Sequence, residues 1–256
     1  MTNLYALGRT LLGISSAFFG LQYLHYGRFV GGLPPVPPWT PGGKLAAYFI
    51  GVVLIATGAS IALNRQPRSS ALLLGTLFFL CVVFLHGPHF TAILYDGVAR
   101  TRAFEPLALA GVAWVLAGTL PARPFSSAAP HKATSIVHFG RFLFVFSMAV
   151  FGIQHFLYAP FIATLIPSWI PAHLFWVYFT GIGFIASSLA ILTQIGARLA
   201  ATMLGVMFFL WVLVLHAPRV AASLHNGDEW SSLFVALALG GGAFVLARAS
   251  SQPDRA

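Results

Sequence analysis

Histidine and glutamine at the ends of long apolar runs are the residues here with the most chemistry to offer. The chain holds nine histidines, and His25, His86, His89, His155, His173, His216 and His225 all fall towards the same side of the segments they end. Neutral imidazole binds copper, zinc or haem iron, and an ionisable group at membrane depth is costly enough to be read as functional. His86 and His216 end two runs at matching places, so a metal site drawn from His86, His216 and His89 is one reading. Gln22 with His25, and Gln154 with His155, support another: an amide and an imidazole beside an apolar cleft can hydrogen-bond the carbonyls of a quinone. The cofactor therefore stays open among quinone, haem and copper. The same residues also have plain structural uses. A histidine at a helix end can bond a loop carbonyl, and a buried glutamine can lock two helices together for about 0.6–2 kcal/mol. His25 and His155 do not occupy equivalent positions, since Leu157 aligns with His25 and Tyr23 with His155, which counts against a symmetric metal pair.

The elements that carry these residues follow from composition. Of 256 residues 58% are apolar and 7% charged, where soluble chains carry roughly 25% charged residues. Eight runs approach the roughly 20 residues that cross a bilayer: 7–26, 44–63, 70–88, 104–120, 138–159, 173–193, 198–217 and 231–248. Each is expected to be a helix, because lipid offers no partner to an open backbone. The class is an all-α integral membrane protein with the lipid bilayer as its main partner. The net charge of +9 does not indicate nucleic acid, because the basic residues sit at the ends of apolar runs rather than in a patch. With the N-terminus inside, the inner loops hold Arg9, Arg65, Arg68, Arg123, Lys132, Arg141, Arg198, Arg248 and Arg255. The outer loops hold only Arg28, Lys44, Arg100, Arg102 and Arg219. The positive-inside rule then predicts both termini in the cytoplasm of a bacterial-type inner membrane. Trp39, Trp169 and Trp230 fall near outer span ends, as aromatic anchors do.

The chain repeats itself. Gly8-Arg9 matches Gly140-Arg141, and Phe19-Gly20-x-Gln22 matches Phe151-Gly152-x-Gln154. From there an offset of 130 pairs Pro37-x-Trp39-x-Pro41 with Pro167-x-Trp169-x-Pro171, Tyr48-Phe49-x-Gly51 with Tyr178-Phe179-x-Gly181, Leu85-His86-x-Pro88 with Leu215-His216-x-Pro218, and Gly111-x-Ala113 with Gly241-x-Ala243. A register kept this long marks a duplication. The expected organisation is a four-helix unit over 1–120, a polar linker over 121–137 and a second unit over 138–250, forming two pseudo-symmetric four-helix bundles. An even helix number per unit places the pseudo-two-fold axis along the membrane normal. Gly51, Gly58, Gly75 and Gly111 are small enough for close helix approach.

These repeated elements resemble the DoxX family and its DoxX-like relatives, small four-helix bacterial membrane proteins. The resemblance rests on Gly140-Arg141, Phe151-Gly152-x-Gln154-His155-Phe156, Pro167-x-Trp169-x-Pro171, Trp176-Val177-Tyr178-x-Thr180-Gly181 and Leu215-His216-x-Pro218. It covers nearly the whole chain, once per unit, as a tandem fusion. It implies a four-helix bundle per unit and association with membrane redox complexes, including the DoxD subunit of thiosulfate:quinone oxidoreductase. No catalytic residue comes with it.

Absences narrow the function. There is no nucleotide-binding glycine loop, His-Glu-x-x-His, nucleophile elbow or Cys-x-x-Cys-His, and Cys81 stands alone. Glu105-Pro106 reads as the start of the fourth helix, where a carboxylate suits the helix dipole. No acid then lies inside a span, which argues against a carboxylate-based proton carrier. The leading expectation is a membrane subunit or partner of a redox complex, with a quinone or metal site near the outer face. A non-catalytic binding or assembly protein and a small transporter are the alternatives. Because the second unit keeps Gln154-His155 in the family-like arrangement, it is the unit expected to hold a ligand, near Gln154, His155 and His216.

Overall fold

A computed structural model describes residues 2–28, 43–121 and 130–250. The first unit's Pro37-x-Trp39-x-Pro41 loop, with Pro34-Pro35, and residues 122–129 of the expected linker lie outside the described residues, and the rest of that linker from Pro130 on belongs to a helix. Every regular element among the described residues is helical. In the first unit α1 (Thr2–Tyr26), α2 (Gly43–Ala62) and α3 (Pro67–Cys81) are followed by a π-helical turn (Val82–His86), a short 3-10 turn (Gly87–His89), α4 (Phe90–Tyr95) and α5 (Gly97–Thr119). The second unit gives α6 (Pro130–Leu157), α7 (Ala159–Ala163), α8 (His173–Thr193), α9 (Ala197–Trp211), a π-helical turn (Val212–His216), α10 (Ala217–Ala222) and α11 (Gly227–Ala249).

Among the described residues seven helices are long and apolar enough to cross a membrane: α1, α2, α3 continued through its turns to Tyr95, α6, α8, α9 continued to Ala222, and α11. Large apolar side chains stand exposed along them, including Phe49 and Val52 on α2 and Phe175, Phe179, Ile182 and Leu189 on α8. Such a surface is stable against lipid and not against water. The molecule is a multi-pass helical membrane protein. The fourth expected span, α5, is helical but is not among the seven, because Arg100, Arg102 and Glu105 lie within its first half.

The helix boundaries repeat as faithfully as the sequence. Asp96 caps α5, its Oδ1 accepting hydrogen bonds from the backbone N–H of Val98 at 2.7 Å and Ala99 at 3.4 Å. Asn226, its counterpart, caps α11 by accepting from Asp228 N at 3.0 Å. These caps move both helix starts outward from the expected 104 and 231. Glu105 is consequently not at a helix N-terminus: it sits eight residues after Gly97, inside the helix, with Pro106 behind it. The short turns between α2 and α3 and between α8 and α9 are also built alike. Left-handed residues occur at Asn64 and Gln66 in one (φ 58° and 53°) and at Gln194 and Gly196 in the other (φ 61° and 64°).

The packing departs from the expected pair of separate bundles. Each unit's first helix packs on its own second helix and on the fourth helix of the other unit: α1 against α11, and α6 against α5. α5 and α11 also pack on each other. They form the centre, with Leu109, Val112, Leu116, Ala243, Val245 and Leu246 wholly buried. The physical reason is glycine. A Cβ on Gly8 would lie 2.4 Å from the Gly241 carbonyl oxygen, and one on Gly241 would lie 2.7 Å from that of Gly8. Gly111 and Gly140 meet in the same way, at 2.4 and 2.5 Å. Within units, Gly51 meets Gly20, Gly58 meets Gly13 and Gly75 meets the Trp114 ring. In lipid such close backbone approach takes the place that water exclusion has in soluble cores. At the very centre a Cβ on Gly242 would lie 2.4 Å from Val112 Cγ2. Residues 112 and 242 are repeat counterparts, so their contact marks the pseudo-two-fold axis.

Candidate functional site

The two glutamines are buried, each 6% exposed, and both are spent on the opposite unit. Gln22 Nε2 donates to the Gly227 carbonyl at 2.9 Å, and its Oε1 accepts from Ser231 Oγ at 3.0 Å. Gln154 Nε2 donates to the Gly97 carbonyl at 2.8 Å and to Thr101 Oγ1 at 3.2 Å. Gly97 and Gly227, like Thr101 and Ser231, are one repeat apart. Each unit's first helix therefore latches onto the first turns of the other unit's fourth. The structural use of the glutamines holds, but it joins the units rather than locking one of them. The copies differ in one atom: Gln154 Oε1 is buried without a hydrogen-bond partner among the described residues.

The histidines paired with these glutamines point elsewhere. His25 is exposed and lies edge-on to Tyr26, with ring centroids 4.7 Å apart, while Gln22 is turned into α11. His155 Nδ1 donates to the Phe151 carbonyl of its own helix at 2.8 Å, and its ring packs 5.3 Å from that of Phe184 on α8. Gln154 and His155 thus face different helices, and no shared amide–imidazole cleft forms in either unit. His173 Nε2 bonds the Pro167 carbonyl at 3.2 Å, the loop-bracing use of a helix-end histidine. His89 and His225 are exposed. Trp169 is 67% exposed, whereas Trp230 donates to the Leu224 carbonyl at 2.9 Å.

His86 and His216 stand apart from the others. Each closes a π-helical turn at the same place in its unit. A π turn inserts one residue into the helical ladder, and such turns concentrate at functional sites. His86 is 7% exposed, and its Nε2 is buried with no partner among the described residues; His216 Nδ1 is the same. The charges around them differ. Arg102 on α5 is a charged neighbour of both His86 and Glu105. At His216 the neighbours are Arg219 and Glu229, and these two are joined as an ion pair at 2.8 Å. Their counterparts in the first unit are His89 and Ala99.

Metal binding has little support in the donor set. Among the described residues no group of three or more His, Cys, Asp or Glu side chains gathers closely enough to hold a metal ion, and copper or zinc centres need at least three protein donors. Two surface depressions, of about 540 and 490 Å³, lie at 221–226 and beside His173. Neither is lined by Gln22, Gln154, His86, His155 or His216. Comparison with models of known protein families, with curated proteins and with solved structures gave no match.

Sequence reasoning passed over Asp96, Asn226, Gly97, Gly227, Thr101 and Ser231. The signal was present in the repeat itself: each pair sits at the same offset of 130 and keeps its chemical type, two caps, two glycines and two hydroxyls.

Proposed function

We propose that this is an eight-span inner-membrane protein of DoxX-like build, with both termini cytoplasmic, that binds a small lipophilic ligand bearing oxygen acceptors, such as a quinone, near its outer face. It would serve there as a membrane subunit or partner of a redox complex. Counting α5 as the eighth span is supported by its place at the buried centre against α11, its repeat counterpart and one of the seven. One observation carries the ligand reading. His86 and His216 occupy matched π-helical turns, each with a buried ring nitrogen that no described residue satisfies. A buried polar atom left unpaired costs about 1–3 kcal/mol, so a fold that leaves one in each unit, Nε2 of His86 and Nδ1 of His216, is suited to a ligand that satisfies them. The latched Gln22 and Gln154 move the candidate ligand contacts from those residues to the two histidines.

Titration of the purified protein in lipid nanodiscs with decylubiquinone tests this. Binding should weaken about two- to tenfold in His86→Ala or His216→Ala and stay unchanged in His25→Ala, since a lost charge-free hydrogen bond costs about 0.5–1.5 kcal/mol. Absence of binding by the parent would sink the ligand reading. The second reading, a non-catalytic assembly protein, would then stand. It is favoured by the use of both repeated glutamines to hold the two units together.

A further inference from the structure

The outward extension of α5 changes the standing of Glu105. It lies eight residues past Gly97, about 12 Å along the helix axis at 1.5 Å per residue. It also lies seven residues before Val112, and positions i and i+7 share a helix face. Val112 is the residue that meets Gly242 on the pseudo-two-fold axis. Glu105 therefore belongs to the stripe of α5 turned toward the other unit, where its own counterpart is Val235, a buried apolar residue.

The charged surroundings can be followed element by element around α5. From the π-helical turn comes His86, 7% exposed and with Nε2 unpartnered, which shares Arg102 as a neighbour with Glu105. The 3-10 turn adds His89 at the exposed rim, and α4 contributes only Tyr95, 84% exposed. On α3, Arg68 is at the opposite end, donating to the Leu120 carbonyl at 2.8 Å. Cys81 completes the titratable groups of α3. On α6, His155 faces α8, and His138 and Arg141 lie near the Gly140 crossing at the inner end. On α11, Glu229 is engaged by Arg219, Asp228 is exposed at the helix start, and Arg248 is in the last turn. On α5 itself Arg100 is spent on the Ile93 and Leu94 carbonyls, so Arg102, one helical turn before Glu105, is its charged neighbour, and His86 neighbours that same Arg102. Pro106 adds a further polar atom: lacking an N–H, it leaves the Arg102 carbonyl without its helical donor.

We propose that Glu105 is a proton-binding carboxyl within the membrane, present in the first unit alone and reached from the outer side past Arg102 and His86. An acid inside a membrane helix is functional by default and needs a named partner, and Arg102 supplies it. The site takes a proton rather than a metal ion, because among the described residues no group of three or more metal-ligating side chains gathers there. It lies between the two units, where a change in its charge acts on the α5–α11 contact. The proposal rests on α5 crossing the membrane.

Dicyclohexylcarbodiimide tests it in native membranes. This apolar reagent adds to a protonated carboxyl: the acid proton goes to a carbodiimide nitrogen, the oxygen bonds the central carbon, and rearrangement gives a stable N-acylurea with nothing lost. Mass spectrometry should find the adduct on Glu105, less of it as pH rises, and none in Glu105→Gln. Arg102→Gln removes the cation that favours the carboxylate, so labelling at pH 8 should rise about tenfold. No adduct on Glu105 at pH 5, or equal labelling by a water-soluble carbodiimide, would overturn the proton site. The span is checked separately with Glu105→Cys in a Cys81→Ser background. Ready reaction with a membrane-impermeant maleimide would overturn the eighth span itself. An unreactive cysteine combined with an unreactive Glu105 carboxyl would remove the proton site and leave the span.

Discussion

The two units share a backbone plan and differ in the polar residues placed upon it. Both keep the glycine crossings, the π-helical turns, the Asp96 and Asn226 caps and the left-handed turn residues. They part at the charges. In the second unit Arg219 and Glu229 close on each other at 2.8 Å beside His216. In the first, Arg102 and Glu105 lie on successive turns of α5, with Arg102 the neighbour of His86, and the second unit has Ser232 and Val235 in their places. Features that repeat belong to the architecture. Features that have drifted apart on an unchanged backbone are where a separate role could arise, and they single out the first unit. Sequence reasoning had favoured the second, on the strength of Gln154-His155.

The glycine crossings offer the largest effect with which to test the shared plan. Gly111→Ala and Gly241→Ala each drive a methyl against a backbone carbonyl that cannot swing away. Each should lower stability by about 1–3 kcal/mol, read as loss of helical circular dichroism on heating in detergent. Similar losses would support equivalent crossings; a neutral Gly111→Ala beside a damaging Gly241→Ala would show that the symmetry is not mechanical.

The latches come next. Gln22→Leu should cost about 0.6–2 kcal/mol, because both ends of that amide are bonded. Gln154→Leu should cost visibly less, since removing the amide also removes its unpartnered buried oxygen. Thermal melts of the two variants side by side decide the order, and the reverse order would mean that Gln154 Oε1 has a partner in the membrane.

The smallest effect belongs to the ion pair. Arg219 and Glu229 are 31% and 18% exposed at the side chain, so Glu229→Gln should cost at most about 1 kcal/mol. It should also leave carbodiimide labelling of Glu105 unchanged. A change in that labelling would join charges that the comparison keeps in separate units.

The class, the duplication and its register were legible in the sequence because they depend on composition and on a fixed offset. Which helix packs on which was not. A repeat specifies two copies of a unit but is silent on whether the fourth helix returns to its own first helix or crosses to the other copy's. Gln22 and Gln154 were recognised as polar and repeated, yet an amide's partner is set by tertiary contact, and the partners proved to be Gly227 and Gly97. Glu105 was misplaced for a local reason. Arg100 and Arg102 interrupt the apolar run, so hydropathy alone places the helix start after them, although Asp96-Gly97 carries the N-cap signal. The π-helical turns have no sequence period of their own, and only the repetition of Leu85-His86-x-Pro88 hinted at them.

The contact between Val112 and Gly242 has a consequence for how such a chain could arise. Two identical half-length chains assembled about a two-fold axis must set every on-axis residue against its own copy, valine on valine or glycine on glycine. A bulky group seated in the gap left by a missing one is impossible for such a pair. It becomes available only when one gene encodes both halves and each can mutate alone. The snug seam at the axis therefore works as a ratchet: once the halves had become unequal there, separating them again would leave each with a twin that no longer fits.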